Sequence, residues 1–234
     1  MKSGNYIICN KCKKPNQLSE LNCTNCSFIL RDRVVNLDFL KIFISLVENP
    51  SKGFYHIVIA EHKNFITIFY SFFLLKMFLI NLSLMNILGK DIQSKINHLL
   101  YFTIILLSVT ILLALILKSI LKLGEIRIRL KDYFAIISFS TFPFIFSFLL
   151  LTILEIAVFG DYLFEVSPSP FEIRPFLAYI FLILEIIIIL WTFILFVISM
   201  HTLIKNKFLS FIFGIFNFCI ILVVPHIIII KLLF

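Results

Sequence analysis

The chain has 234 residues, 61% of them hydrophobic and only 15% charged, with 29 Phe and 6 Gly. Soluble domains average about 45–50% apolar and about 25% charged residues, so a soluble globular enzyme, a disordered chain and a secreted disulfide scaffold are excluded. What remains is an integral membrane protein, in which the net charge of +8 is read by position, because Lys and Arg report orientation.

Residues 1–33 are polar and hold four of the five cysteines. Cys9-Asn-Lys-Cys12 and Cys23-Thr-Asn-Cys26 are two C-x-x-C pairs with ten residues between them. Two residues between cysteines let both thiolates face one ion, and two such turns close a tetrahedron. The pattern resembles small zinc ribbons. Two disulfides and a rubredoxin-like iron site are the rival readings; a cytoplasmic location disfavours the first and the want of an aromatic shell the second. Four thiolates fill the shell of Zn2+, so the expected site is structural, supplying folding energy that about 30 residues cannot provide alone. The module carries six basic and two acidic residues, and a zinc–tetrathiolate centre adds −2. It is therefore only mildly basic, and nucleic acid is not an expected partner. Lys13, Lys14, Arg31 and Arg33 are expected to face anionic headgroups or a protein partner.

Residues 34–63 form an amphipathic, interfacial segment. Over 34–49 the spacing of Asp38, Lys41, Ser45 and Glu48 makes a polar stripe, opposite Leu37, Leu40, Phe43, Ile44 and Val47. Such a helix lies in the membrane interface or packs on the bundle. Pro50 ends it, and Tyr55–Lys63 reads as a second short interfacial stretch, with His56 and His62 as interfacial polar residues.

Residues 64–234 contain five apolar runs, at about 65–88, 99–117, 133–158, 176–200 and 208–230, each near the about 20 residues that span a bilayer as a helix. Unbroken runs exclude a transmembrane barrel, and an open sheet cannot sit in lipid. The fold class is all-α, a five-helix membrane bundle behind a small ribbon. Sixteen Lys and Arg fall in the N-terminal region and alternate loops, against Lys90, Lys95, Arg174 and Lys231 on the other side. The N-terminus is thus expected in the cytoplasm and the C-terminus outside. The first 30 residues have no apolar core of a signal peptide, so the first span is expected to act as the membrane signal.

Inside the bilayer Lys76 and Glu185 are the costly residues. They sit at depths differing by about 5 Å and can form an ion pair holding the first span on the fourth; alternatively Lys76 snorkels and Glu185 is protonated. Glu155 and His226 are expected as interfacial anchors, and Cys219 as a small buried hydrophobe. Pro143 and Pro225 are expected kinks, with Ser138, Ser140 and Thr141 serving carbonyls freed near Pro143.

An amphipathic segment, Pro50, Phe54 and then five spans resemble the Yip1 domain, as do Lys131-Asp132-Tyr133-Phe134 leading into 138–143, Trp191 in the fourth span, and 201–210 before the fifth. The resemblance covers about 34–230 and is to bacterial-type members with an N-terminal ribbon. It implies a bacterial inner-membrane scaffold or accessory subunit beside transport machinery, with lipids and a membrane-protein partner or a second copy as its contacts. Members in eukaryotes act in vesicle trafficking. The sequence has no H-E-x-x-H, G-x-S-x-G, P-loop or G-x-G-x-x-G pattern, and no enzyme is expected. The alternative is a small solute or lipid transporter using Lys76 and Glu185.

Overall fold

The computed structural model describes residues 6–17, 19–31, 38–87, 95–123 and 128–233. Expectations resting on Lys2, Arg33, residues 34–37, Leu88, Lys90 and Arg127 lie outside the described residues. Among the described residues, five helices are long and apolar enough to cross a membrane: Ile66–Met85, His98–Lys122, Pro143–Phe164, Pro175–Ile204 and Lys207–Lys231. Four lie where the apolar runs place them. The third begins at Pro143, not at 133, because the run is broken between helix α5 (Leu130–Ser140) and helix α6 (Pro143–Phe146). Proline has no N–H to continue the ladder and is favoured in the first turn of a new helix.

Polarity in these helices is reversed relative to a soluble bundle. On α9 (Pro175–Ile204), Ile183, Ile187, Leu190 and Ile194 recur at helical spacing and are exposed, whereas Thr192 and Ser199 are buried. Lipid accepts the apolar face, so polar side chains turn inward, where the Ser199 hydroxyl donates to the Phe196 carbonyl at 2.8 Å. The same logic corrects the reading of Cys219, which is exposed on α10 (Lys207–Leu233). In lipid, hydrophobicity does not tell the inside of a bundle from its outside.

The chain divides into two units. The first comprises residues 1–67, 111–140 and 195–217. Its ribbon pairs β1 (Tyr6–Ile8) antiparallel with β2 (Pro15–Gln17), Ile7 opposite Asn16. The ribbon core of Ile7, Cys9, Cys23 and Leu30 is completed by Ile59 from α2 (Pro50–Ile59). Helix α1 (Phe39–Glu48) starts later than its polar stripe suggests, because the Asp38 carboxylate caps it by accepting from the Lys41 N–H at 3.3 Å instead of lying on its face. Asn49 closes α1 and caps α2, accepting from the Lys52 N–H. A Cβ on Gly53 would stand 3.2 Å from the Leu46 backbone nitrogen, so a larger residue there would have to push the two helices slightly apart. Ile42 and Leu46 of α1 point inward, while Leu40, Ile44 and Val47 form an exposed apolar row. Within residues 55–63, Ile57, Val58, Ile59, Ala60 and Lys63 are buried, whereas Tyr55, His56 and His62 are exposed. In the same unit the end of α9 from Leu195 and the start of α10 to Asn217 form a helical hairpin. Lys205 adopts φ 54° in its turn and the Asn206 carboxamide accepts from the N–H groups of Phe208 and Leu209. A Cβ on Gly214 of α10 would lie 2.8 Å from Val197 Cα.

The second unit comprises residues 68–110, 141–194 and 218–234. Between α6 and α7 (Ile153–Phe159), the segment Ser147–Thr152 is a π-helix. Five residues turn about 140° away from alignment on an α-helix, but a π turn closes at that separation. Ser147 and Thr152 therefore share one side, and the Thr152 hydroxyl donates to the Ser147 carbonyl at 3.1 Å. Aromatic packing is dense here, with Phe142 against Trp191 at a centroid distance of 5.4 Å and Phe73 against Phe144 at 5.3 Å.

Candidate functional site

The two knuckles of the ribbon are built alike. The Lys13 N–H donates to the Cys9 carbonyl and the Ser27 N–H to the Cys23 carbonyl, each at 2.9 Å. Lys13 and Ser27, each following the second cysteine of its pair, adopt φ 58° and 55°. The four sulfurs lie within 4.8 Å of one another, with Cys9 to Cys26 at 3.6 Å and Cys12 to Cys23 at 3.4 Å. A disulfide needs about 2.05 Å, and all four cysteines are free thiols. Four thiolates at about 2.3 Å from one tetrahedral ion would stand about 3.8 Å apart, so the donor set fits a metal ion with small adjustment. Burial opposes ionisation of Cys23, but the amides of Asn25 and Cys26 aimed at its sulfur outweigh it and bring the pKa down to about 6. Asn16, a residue the sequence does not single out, stitches the knuckles together. Its amide donates to the Lys14 carbonyl at 2.8 Å and to Cys23 Sγ at 3.5 Å, and its oxygen accepts from the Thr24 N–H and hydroxyl.

A second cluster ties the ribbon to the rest of its unit. Arg31 is buried and forms a two-point pair with Asp132 in the first turn of α5, Nη1 to Oδ1 at 3.2 Å and Nη2 to Oδ2 at 2.8 Å. It does not face headgroups, as its charge alone suggests. Lys63 Nζ lies 3.1 Å from Asp132 Oδ1 and donates to the carbonyls of Ile57, Val58 and Ala60, where Arg31 also reaches the Val58 carbonyl. Two cations thus satisfy the open C-terminal carbonyls of α2 and share one carboxylate. Burial lowers the Lys63 pKa to about 8, against the opposing pull of Asp132.

In the other unit the structure brings Lys76 and Glu185 together, Nζ to Oε1 at 2.7 Å. Thr152 accepts from Lys76 at 2.9 Å, and the Ser147 hydroxyl lies 2.7 and 2.8 Å from the two Glu185 oxygens. The π turn is what places both hydroxyls at the pair. The Glu155 carboxylate lies 4.0 Å from Lys76. His226 is buried too, accepting at Nδ1 from the Asn81 amide at 2.9 Å, while Asn81 Oδ1 lies 2.6 Å from His98 Nε2. Pro143 stands at a break between helices, whereas Pro225 lies inside α10, which continues through it. Of the three hydroxyls expected near Pro143, Ser140 bonds the Ile136 carbonyl and Ser138 the Ile66 carbonyl.

No protein-family model, curated protein or solved structure matches this chain.

Proposed function

We propose that this chain is a Yip1-like, non-enzymatic scaffold of a bacterial inner membrane, in which a cytoplasmic ribbon holding structural Zn2+ docks a membrane-protein partner or a second copy. The observation that carries this reading is the outer face of the ribbon. Tyr6 and Ile8 on β1, with Leu21 and Phe28 around the second knuckle, are exposed although the inner residues Ile7 and Leu30 are buried. A small polar module has no folding reason to display four large apolar side chains, and exposed apolar surface commonly marks an interaction site. The ribbon is also held rather than tethered, by Ile59 and the Arg31–Asp132 pair, so a partner gripping it would grip the membrane domain. The exposed row of Leu40, Ile44 and Val47, beside Lys41 and Lys52, suits the lipid interface. The excess of Lys and Arg on the N-terminal side supports a cytoplasmic N-terminus and an external C-terminus, and it survives subtraction of the buried Arg31 and Lys63. Zinc is favoured over iron because the sulfurs are partly solvent-accessible at Cys12 and Cys26.

Purification from native membranes in mild detergent, with mass spectrometry, tests the proposal. A stoichiometric partner, or a second copy, should be present with the wild type and lost with Ile8→Asp/Phe28→Asp while metal content is unchanged. Retention of the same assembly by that variant would refute the ribbon as docking surface.

A further inference from the structure

A cavity of about 430 Å³ in the second unit is lined by Glu155 and Glu185, by Phe159, Phe164, Phe171 and Phe181, and by no Lys, Arg or His among the described residues. We propose that it binds a membrane-partitioned primary amine, an ammonium group on an apolar body, with the ammonium at Glu155 and Glu185 and the body among the phenyl rings.

The charge count comes first. Lys76 is the cation that meets both carboxylates, at 2.7 Å from Glu185 and 4.0 Å from Glu155. Glu185 is further held by Ser147. Two carboxylates against one ammonium leave one negative charge to be matched by a proton or a second cation, and an unmatched buried charge is strongly disfavoured. Glu155 is the carboxylate with the looser contact, and it faces the cavity. The walls come next. Phenyl faces attract ammonium groups, and Phe159 and Phe181 present an edge-to-face pair at 5.9 Å. Glu165 adds a third carboxylate to the lining. The volume lies within the about 300–1,000 Å³ usual for small-molecule sites.

Position selects an amphiphile over a soluble amine. Residues 165–174 connect two membrane-spanning helices, so the cavity wall supplied by Glu165, Val166 and Phe171 lies where a bilayer meets water. Glu155 stands four residues before the end of α7, about 6 Å further in. An amine in the leaflet would carry its ammonium to that depth with its apolar body still in apolar surroundings. The inference goes beyond the scaffold reading and uses no ribbon residue.

The test compares binding of dodecylamine, dodecanol and ethylamine to the full-length protein in neutral detergent at pH 7, by native mass spectrometry and by the shift in thermal midpoint. Dodecylamine should bind about tenfold more tightly than dodecanol, ethylamine should not compete, and Glu155→Gln should bring the two dodecyl compounds level. That variant keeps shape and removes charge, and its metal content and midpoint without ligand show whether it is folded. If it does not fold, the comparison of amine with alcohol on the wild type decides alone. Equal binding of amine and alcohol, or an undiminished preference in folded Glu155→Gln, would overturn the proposal. Competition by ethylamine at equal concentration would overturn the assignment to an amphiphile.

Discussion

Lys63 offers a test in which pH is the perturbation. Its ammonium is buried against three carbonyls and Asp132, and its pKa falls from 10.5 to about 8 because burial penalises the charge more than Asp132 relieves it. In the unfolded chain the group titrates near 10.4. Between these values the unfolded state binds the extra proton, so stability rises with pH from about 8 to about 10.4 and is flat, on this account, below 8. At about 1.4 kcal/mol for each pH unit of separation, the full rise is about 3 kcal/mol. Other groups titrate in the same interval, so the quantity to measure is a difference. Chemical unfolding in mild detergent should be followed at half-unit steps from pH 7 to 10.5 for the metal-loaded wild type and for Lys63→Met. The wild-type curve should climb relative to the variant by a few kcal/mol. Parallel curves would show that Lys63 is not charged against its burial, and the physical account of the clasp would fail.

Three further outcomes are expected. Cys9→Ser/Cys12→Ser should abolish stoichiometric metal binding, measured by elemental analysis, and should make residues 6–31 sensitive to protease, because the metal's binding energy is the ribbon's folding energy. Gly214→Ala should destabilise by about 1–3 kcal/mol in a thermal or denaturant assay, since the new methyl meets Val197 Cα at 2.8 Å and backbone has to shift; an unchanged midpoint would mean that the α9–α10 contact is looser. Lys76→Met and Glu185→Gln should each cost about 3–5 kcal/mol, and the double variant much less than their sum. A fully stable Lys76→Met beside a misfolded Glu185→Gln would show that Glu185 acts through Ser147 and not through the pair.

Long apolar runs are legible because a bilayer demands them at a fixed length, and C-x-x-C pairs because a tetrahedral ion demands that geometry. Lys76 and Glu185 stand out because charge in lipid is rare. Less legible is whatever depends on direction around a helix or on contacts distant in sequence. Arg31, Lys63 and Asp132 look like ordinary loop charges, and their mutual burial depends on residues about 70 and 100 positions apart. One signal was nevertheless present: Asp132 directly follows the basic run Arg127, Arg129 and Lys131, which has Glu125 on its other side. The π turn has no composition of its own, so the convergence of Ser147 and Thr152 could not be read from spacing at 3.6 residues per turn. Asn16 was silent because a buried carboxamide and a surface one look the same in sequence.

Because Ile59 completes the ribbon core and Asp132 neutralises Arg31, the ribbon is synthesised well before the residues that it needs to finish folding. Residues 6–31 can collect their metal early, but until α5 has been synthesised Arg31 must stay in water, since burying it without Asp132 would strand a charge. Membrane insertion of the first two spans therefore precedes the sealing of the ribbon. A nascent chain stalled before Asp132 should present a loaded but undocked ribbon, which is a state that a protease or chaperone can distinguish from the finished protein.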